Sequence, residues 1–268
     1  MSFVIEEVNA DNLGGLNVLL YGPFGGGKTM FGTSGGDHKK LGDTFVIDID
    51  GGLKSVVHRP NMQRVVTTSS AVVQEIFDAI IQKDPRFAKF NTILLDSVTA
   101  WVTKELRNIS ERNAGALTGK VQRTIDTVQL QDYNEMTGKL SRLIDNMRSL
   151  EKTLVMTSTE RDYGLSEDSP NGPIMRRPEM PPRLFNNVGQ MVDMMWRVYQ
   201  QNGEVFLQTQ ELVSPRGDRV VAKTRNPRFA ARLMAESIPD KDGVPTGIIK
   251  IGNVGDTTTK YPTLATLS

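Results

Sequence analysis

The feature that most constrains this sequence is a glycine-rich stretch near its amino terminus. Residues 22–29 read GPFGGGKT, which fits the pattern G-x-x-x-x-G-K-[ST] of a phosphate-binding P-loop. Glycines let the backbone curl so that several N–H groups point inward at a chain of phosphates. The preceding run LNVLL at 16–20 predicts a buried strand that leads into the loop. A strand, loop and helix in this order predict an α/β fold with a nucleotide at the loop.

Each residue type in this loop has a chemical role. Lys28 brings a mobile positive charge to the phosphates, and the hydroxyl of Thr29 can ligate Mg²⁺. The helix that begins here adds the positive end of its dipole. The alternative is a glycine-rich turn that matches the pattern by accident. The predicted nucleotide-binding residues are Gly22, Pro23, Phe24, Gly25, Gly26, Gly27, Lys28, Thr29 and Met30.

Composition excludes several classes of site. The 268 residues carry a formal net charge of +1, so any contact with nucleic acid requires a local basic patch. Without cysteine there are no disulfides, thiolate metal sites or cysteine nucleophiles, and two histidines are too few for a histidine-built metal centre. No apolar run approaches the ~18 residues of a membrane span, and no signal-peptide layout is present. We therefore expect a cytoplasmic protein.

Apolar runs alternate with helical patterns through the first 160 residues, which is typical of a parallel sheet covered by helices. The pattern predicts strands at 16–20, 44–49, 64–67, 92–95 and 153–157. It predicts helices after Lys28 and at 71–82, 98–111 and 127–150. Apolar residues recur at helical spacing in the last of these, which indicates a core-facing stripe.

The composition changes after residue 160. Residues 161–183 are rich in proline and glycine and predict a long loop. Residues 191–200, 204–211 and 219–224 predict antiparallel strands joined by turns. We expect an ATPase core over 1–230, including a short amino-terminal segment, and a carboxy-terminal extension over 231–268.

Two acidic segments supply candidate partners for the P-loop. The run NTILLDS places Asp96 at the end of an apolar strand, where a carboxylate can hold Mg²⁺ through water; the alternative is a helix N-cap. In VIDIDGG, Asp48 and Asp50 share one face of a strand. Asp50 lies nearer the strand's end and is the candidate for polarising an attacking water, unless both acids merely set the turn.

Together these segments resemble the RecA-type ATPase core, and more narrowly the short phage-encoded RecA-like proteins that act as single-strand annealing recombinases. GPFGGGKT matches the P-loop of that family, ILLDSVTAW its second acidic strand, and VIDIDGGLKSV the strand that ends in the catalytic acid. The resemblance therefore implies a RecA-like P-loop NTPase fold over roughly residues 14–230. The family usually has Glu where this chain has Asp50.

Two further segments resemble functional parts of the family. LVMTSTERDYG matches the strand whose end senses the γ-phosphate, which implies a sensor role for Thr159. Residues 220–226 match a segment that reaches the nucleotide of the adjacent subunit, which implies that Lys223 and Arg225 act as fingers in trans. Two cations two residues apart share a face of a strand; a basic edge strand that resists aggregation is the alternative.

The resemblance also implies contact with single-stranded DNA through segments 115–123 and 162–183. Residues 104–123 carry a net charge of +3 and residues 216–232 carry +5, whereas the loop at 160–183 carries −1. Aromatic side chains could stack on bases, and Tyr163 is the candidate in the loop. The predicted DNA-binding residues are Lys120, Arg123, Arg161, Tyr163, Arg176, Arg177 and Arg183.

The sequence therefore predicts an ATPase with ATP and Mg²⁺ as ligands. Lys28, Thr29, Asp96 and Asp50 would lie on one side of the nucleotide, with Lys223 and Arg225 contributed by the next subunit of a head-to-tail filament or ring. Single-stranded DNA would be the partner, and annealing or recombination the outcome. The alternatives are another P-loop NTPase, such as a helicase-type motor or a kinase, and a non-hydrolysing nucleotide-gated module.

Overall fold

The computed structural model describes residues 15–34, 43–57, 59–115, 117–118, 121–122, 128–147, 150–164 and 172–253. The strands are β1 Asn17–Gly22, β2 Asp43–Asp48, β3 Met62–Val66, β4 Phe90–Asp96, β5 Leu117–Thr118, β6 Val121–Gln122, β7 Thr153–Tyr163, β8 Met175–Pro178, β9 Met194–Gln201, β10 Glu204–Gln208, β11 Leu212–Val213, β12 Arg219–Val220, β13 Lys223–Thr224 and β14 Ile248–Asn253. The helices are α1 Lys28–Gly32, α2 Ser70–Ile81, α3 Val98–Asn113, α4 Leu130–Met147, α5 Pro182–Met191 and α6 Pro227–Ala235.

A mostly parallel sheet organises the chain. Its parallel strands lie in the order β3-β2-β4-β7-β1-β9, and β10 and β14 continue the sheet in antiparallel fashion. β7 lies between β1 and β4 and runs parallel to both. The carboxyl ends of β1 and β4 therefore lie at one edge beside the middle of β7, and this is the edge where an open α/β sheet binds its ligands. The predicted fold, an α/β sheet with antiparallel strands on the carboxy-terminal side, is confirmed.

The core forms two layers because strand side chains alternate between the faces of the sheet. On β1, Leu19 and Tyr21 join the larger cluster, which includes side chains from α2, α3, α4 and α5. Val18 and Leu20 join the second cluster, which includes Phe31 and Leu233 from the regions of α1 and α6. The P-loop helix and the large helical layer thus lie on opposite faces.

The predicted helical stripe near residue 140 is confirmed in α4. Met136, Leu140, Leu143 and Met147 are buried in the larger cluster at helical spacing. The helix covers 130–147 rather than 127–150, and Val128 before it is exposed.

The prediction of a long loop over 161–183 is wrong for the described part of that range, which leaves out residues 165–171. β7 continues to Tyr163 and pairs in antiparallel fashion with β8, and α5 begins at Pro182. Prolines suggested the loop, yet proline is compatible with the end of a strand and with the first turn of a helix, where its missing N–H has no partner to lose. Pro178 and Pro182 occupy these two kinds of position.

The predicted strands after 190 are shorter than expected. The apolar run from Met191 is divided between the last turn of α5 and β9, which begins at Met194. The segment 219–224 forms two short strands with different partners, since β12 pairs with β8 and β13 pairs with β9. The single strand predicted over 219–224 is therefore a segment in which the chain passes from one part of the sheet to another.

Residues beyond 230 contribute to the same sheet. β14 pairs with β10 along its whole length, and Leu233 and Ile249 are buried in the second cluster. None of the helices in the described parts of the chain is long and apolar enough to cross a membrane.

Candidate functional site: the P-loop and its carboxylate partner

The turn between β1 and α1 has the backbone shape of a phosphate cradle. Gly25 and Gly27 adopt left-handed φ angles of 69° and 95°, which disfavour residues with a side chain. The Gly26 N–H donates to the Pro23 carbonyl at 3.1 Å and closes the turn. Successive N–H groups in such a turn form a concave anion site. Phe24 at the tip is 87% exposed.

Lys28 folds back over this turn. Its Nζ donates to the carbonyls of Pro23 and Gly22 at 2.7 and 3.1 Å. Burial lowers the pKa of Lys28, and the negative charges of Asp96 and Glu160 oppose that shift. The ammonium group is therefore held at the mouth of the cradle, with carbonyl partners that a phosphate can replace.

Asp96 faces the P-loop from β4. Its Oδ2 accepts a hydrogen bond from the Thr29 hydroxyl at 2.8 Å, and its Oδ1 accepts one from the Thr157 hydroxyl. The carboxylate is 3% exposed. Burial raises the pKa of Asp96, while the hydrogen bonds from Thr157 and Thr29 lower it. Strand β7 thus supplies a third oxygen group to the site.

This set of donors fits Mg²⁺. A hydroxyl and a carboxylate are hard oxygen ligands, and Mg²⁺ in nucleotide sites takes one or two protein ligands, keeping its other positions for water and phosphate. Thr29 would bind the ion directly and Asp96 would accept from its bound water. When bound, the ion would neutralise the charge of the phosphates.

The alternative role of Asp96 as a helix N-cap belongs instead to its neighbour. The Ser97 side chain accepts from the Ala100 N–H at 3.2 Å and caps α3. Asp96 is therefore free of the helix and turned toward Thr29.

Asp48 and Asp50 both hold the turn that follows β2. Asp48 is fully buried; it accepts from the Gly51 N–H at 2.7 Å and from Arg64 at 3.2 Å. Asp50 is exposed, and its Oδ1 accepts from the Gly52 N–H at 3.0 Å. The two acids thus have turn-setting contacts, and Asp50 lies at the same edge of the sheet as Asp96.

Thr159, the candidate sensor, lies on β7 level with Gly22 of β1. Its hydroxyl donates to Glu179 Oε2 at 2.7 Å and lies 3.1 Å from the Thr99 hydroxyl. Thr99 also lies 2.9 Å from the Ser158 hydroxyl. A group of hydroxyls and one carboxylate therefore surrounds the part of β7 that lies level with the end of β1.

Lys223 and Arg225 lie far from the P-loop of their own chain. Lys223 pairs with Met195 near the start of β9, which places it toward the opposite edge of the sheet. Its Nζ donates to the Gly189 carbonyl, and Arg225 Nη2 donates to the Gln190 carbonyl at 2.6 Å. Both cations thus bind the last carbonyls of α5, where positive charge is favourable.

The structure separates the predicted DNA-binding residues into different environments. Lys120 and Arg123 lie outside the described residues. Arg176 pairs with both carboxylate oxygens of Asp162 at 2.7 and 2.8 Å. Arg177 is 6% exposed, with its guanidinium 3.8 Å from the centre of the Tyr163 ring.

Arg161 and Arg183 are exposed instead. The Arg161 guanidinium lies 5.8 Å from the Tyr163 ring centre, so two arginines compete with a nucleobase for that ring. Within the described parts of the chain, Arg161 and Arg183 are therefore the accessible cations of this set.

Sequence reasoning missed the contribution of the β9–β10 hairpin. Gln200 Nε2 donates to the Gly25 carbonyl at 2.6 Å, and Val205 packs beside Gly27. Gln200 has no local signal, because its partner lies 175 residues away. Thr157 was missed as well, although its position two residues before Thr159 on the same strand face could have indicated it.

The approach of β9 to the P-loop predicts a steric requirement for Gly22. A methyl group at Gly22 would lie 1.9 Å from the Val198 carbonyl oxygen, which is backbone and cannot move aside alone. We expect Gly22→Ala to lower the free energy of unfolding by about 3 kcal/mol, as overpacking does. Denaturant melts would measure it.

Gly138→Ala is the matched control for Gly22→Ala. A methyl group there meets nothing within 4 Å, and Gly138 lies inside α4. Alanine should raise the free energy of unfolding by about 0.5–1 kcal/mol. A Gly22→Ala protein as stable as the wild type would show that β9 can move away from the loop.

Three comparisons with known proteins show what the chain is similar to. Residues 15–229 match the protein family described as AAA domain. A search of curated proteins finds no match. Among solved structures, the chain is similar to the RadB recombinase, with 13% identity, 77% of this chain and 90% of that chain covered, and a TM-score of 0.41.

Proposed function

The chain belongs to the AAA domain family, and we propose that it binds and hydrolyses ATP with Mg²⁺ and binds single-stranded DNA under control of the nucleotide. The observation that carries the proposal is the contact between Thr29 and Asp96 across the sheet edge, with Lys28 held over the loop. This combination provides charge for phosphates and oxygen ligands for a divalent ion.

The proposed DNA contact extends from this edge. Arg161 on β7 and Arg183 on α5 are exposed cations on segments that follow the candidate sensor Thr159. Nucleotide bound beside Thr157 and Thr159 of β7 would therefore change the position of these cations relative to a phosphodiester backbone. The proposed outcome is strand annealing or pairing in recombination, as in the short phage-encoded RecA-like proteins that the chain resembles.

A mobility-shift assay on single- and double-stranded DNA tests this proposal, run with ATP, with ADP and without nucleotide. We expect tighter binding to the single strand, strengthened by ATP. Arg161→Ala with Arg183→Ala should weaken binding and reduce its salt dependence. Arg86→Ala is the control, since Arg86 is exposed near the start of β4 at the opposite edge. Equally weak binding to both DNA forms under all three nucleotide conditions would refute the DNA contact and leave only the proposed ATPase activity.

We further propose head-to-tail assembly in which Lys223 and Arg225 reach the nucleotide of the adjacent subunit. Cations supplied in trans stabilise the charge of phosphoryl transfer. Arg225 is half-exposed, and its side-chain partners are the Gln190 carbonyl of α5 and, at 3.8 Å, Asp193, so its release costs little. We expect Arg225→Ala to lower turnover at least tenfold and to leave the dissociation constant for ATP nearly unchanged.

Mixing two inactive variants distinguishes the two possible roles of Arg225, a finger that acts on the adjacent subunit and a cap of α5. In assemblies of Arg225→Ala and Lys28→Ala subunits, one interface type combines an intact P-loop with an intact Arg225. A 1:1 mixture should recover roughly a quarter of the wild-type turnover per subunit, the fraction of such interfaces in random head-to-tail assembly. Absence of recovery, or normal turnover in Arg225→Ala alone, would refute the finger role and leave Arg225 as a cap of α5.

A further inference from the structure

We propose that Glu179, rather than Asp50, accepts the proton of the attacking water during ATP hydrolysis. The inference rests on the proposed function, because it assigns a catalytic residue to the same site. It follows from the contacts of Glu179 with Thr159 of β7 and from the strand geometry that relates those contacts to Asp96.

Glu179 is anchored directly to the candidate sensor. Its backbone N–H donates to the Thr159 carbonyl at 2.8 Å, and its Oε2 accepts from the Thr159 hydroxyl at 2.7 Å. The Glu179 carbonyl accepts from the Thr99 hydroxyl at 3.2 Å, which ties the segment to the first turn of α3. Both the backbone and the carboxylate are therefore fixed relative to β7.

The same strand connects this carboxylate to the metal-binding side of the site. Thr157 and Thr159 lie two residues apart on β7 and so share a face. Thr157 donates to Asp96, which binds Thr29 of the P-loop. Two residues along a strand span ~6.6 Å, so Thr159, which holds the Glu179 carboxylate, lies about that far along β7 from Thr157, which holds Asp96.

The carboxylate of Glu179 is positioned without being neutralised. Its ion pair with Arg161 is loose, at 3.8 Å from Oε1, and the Arg161 side chain is mostly exposed. One oxygen is held by a hydroxyl and the side chain of Glu179 is still partly open to solvent. A carboxylate in this condition can accept a proton from a bound water.

Asp50 is placed less favourably. It follows β2, which β4 separates from β7, and its side chain is shorter by one methylene group. Its Oδ1 is already turned back onto the Gly52 N–H. The charge of Asp50 does reach Lys28 and Asp96, whereas Glu179 is fixed to β7 itself through the Thr159 hydroxyl.

The proposed step balances with water as the only co-reactant. The water oxygen bonds to the γ-phosphorus as the bond from that phosphorus to the bridging β–γ oxygen breaks, which gives ADP and inorganic phosphate. Glu179 accepts one proton from the water and passes it to the phosphate product. Thr159 keeps the carboxylate oriented throughout.

The test compares Glu179→Gln with Asp50→Asn, each replacing a carboxylate with an amide of the same shape. We expect Glu179→Gln to lower kcat by about 100-fold or more, the range typical of losing a general base, with the dissociation constant for ATP changed less than threefold. Asp50→Asn should lower kcat less. Nucleotide extracted from Glu179→Gln after mixing with ATP should be mostly ATP rather than ADP, which loss of a merely structural contact would not produce.

Glu111→Gln, on the exposed surface of α3, is the control and should retain wild-type turnover. The inference is overturned if Glu179→Gln keeps kcat within threefold of the wild type, or if Asp50→Asn loses as much activity as Glu179→Gln. If the proposed function itself is wrong, the wild-type protein will release no phosphate, and this result differs from either outcome that overturns the role of Glu179.

Discussion

Lys28→Ala should weaken the binding of ATP with Mg²⁺ by about 100-fold and lower turnover by ~10³-fold or more. A charged hydrogen bond contributes about 1.5–3 kcal/mol to binding, and charge stabilisation of phosphoryl transfer adds to the effect on rate. Lys28 is the cation that already lies over the P-loop carbonyls. Calorimetry with ATP and Mg²⁺ would measure binding, and phosphate release would measure turnover.

The same substitution should not unfold the protein. Burial lowers the pKa of Lys28, so its charged form is less favourable in the folded protein than in the unfolded chain. A lysine with a lowered folded pKa makes stability rise as pH increases toward the ordinary lysine pKa. Lys28→Ala removes that dependence and should melt at or above the wild-type temperature at neutral pH without nucleotide.

Lys241→Ala provides the control for charge alone, because Lys241 is an exposed lysine in the turn before β14. It should bind ATP as the wild type does. A Lys28→Ala protein that bound ATP with unchanged heat and released phosphate normally would exclude the P-loop as the nucleotide site.

The parts of this site that could be predicted from sequence are those encoded by neighbouring residues. The P-loop and the apolar strand ending in Asp96 each occupy fewer than ten residues, and their backbone and strand signals are local. The sheet edge then brings Asp96 to Thr29 because parallel strands end together. The match of residues 15–229 to one family is consistent with this local encoding.

The parts that could not be predicted depend on pairing across the chain. Gln200 reaches Gly25 only because β9 lies beside β1. Glu179 reaches Thr159 because β8 folds back on β7, in a segment whose prolines indicated a loop. Sequence periodicity predicts which face of a strand or helix a residue occupies, but it does not predict which distant strand lies next to that residue.

Charge counts were the least informative signal for the same reason. The +5 of residues 216–232 suggested a phosphate-binding surface, yet Arg216, Arg219 and Arg232 pair with Asp218, Glu211 and Glu236. Pairing with acids leaves little net field for a polyanion. The free cations of this chain are therefore better identified by their contacts than by their density along the sequence.

Asp96→Asn should separate function from stability. Without its carboxylate the site loses the acceptor for magnesium-bound water, and we expect turnover to fall by about 100-fold or more, the scale of other charge-stabilising groups in phosphoryl transfer. Without nucleotide, the variant should be about 1 kcal/mol more stable than the wild type, in the range seen when a strained site is relieved. An amide of the same shape can still exchange hydrogen bonds with Thr29 and Thr157.

The gain in stability should depend on pH in a definite direction. Burial raises the folded-state pKa of Asp96, and Asp50 and Asp48 add to that rise. Between the ordinary carboxyl pKa, ~3.9, and the raised folded value, the folded protein binds more protons than the unfolded chain, so wild-type stability falls as pH rises. Asn does not titrate. The stability of Asp96→Asn should therefore exceed that of the wild type by the whole expected amount above the raised pKa, and should equal it near pH 3.

Thermal melts of both proteins across this pH range, without nucleotide, would measure the effect. Asp145→Asn on the exposed side of α4 should show no such pH-dependent gain. Suppose instead that Asp96→Asn melted below the wild type at neutral pH. The hydrogen bonds from Thr29 and Thr157 would then stabilise the ionised carboxylate by more than burial destabilises it. The ionised Asp96 would then be part of what holds β4 to β7, in addition to its proposed role beside the metal ion.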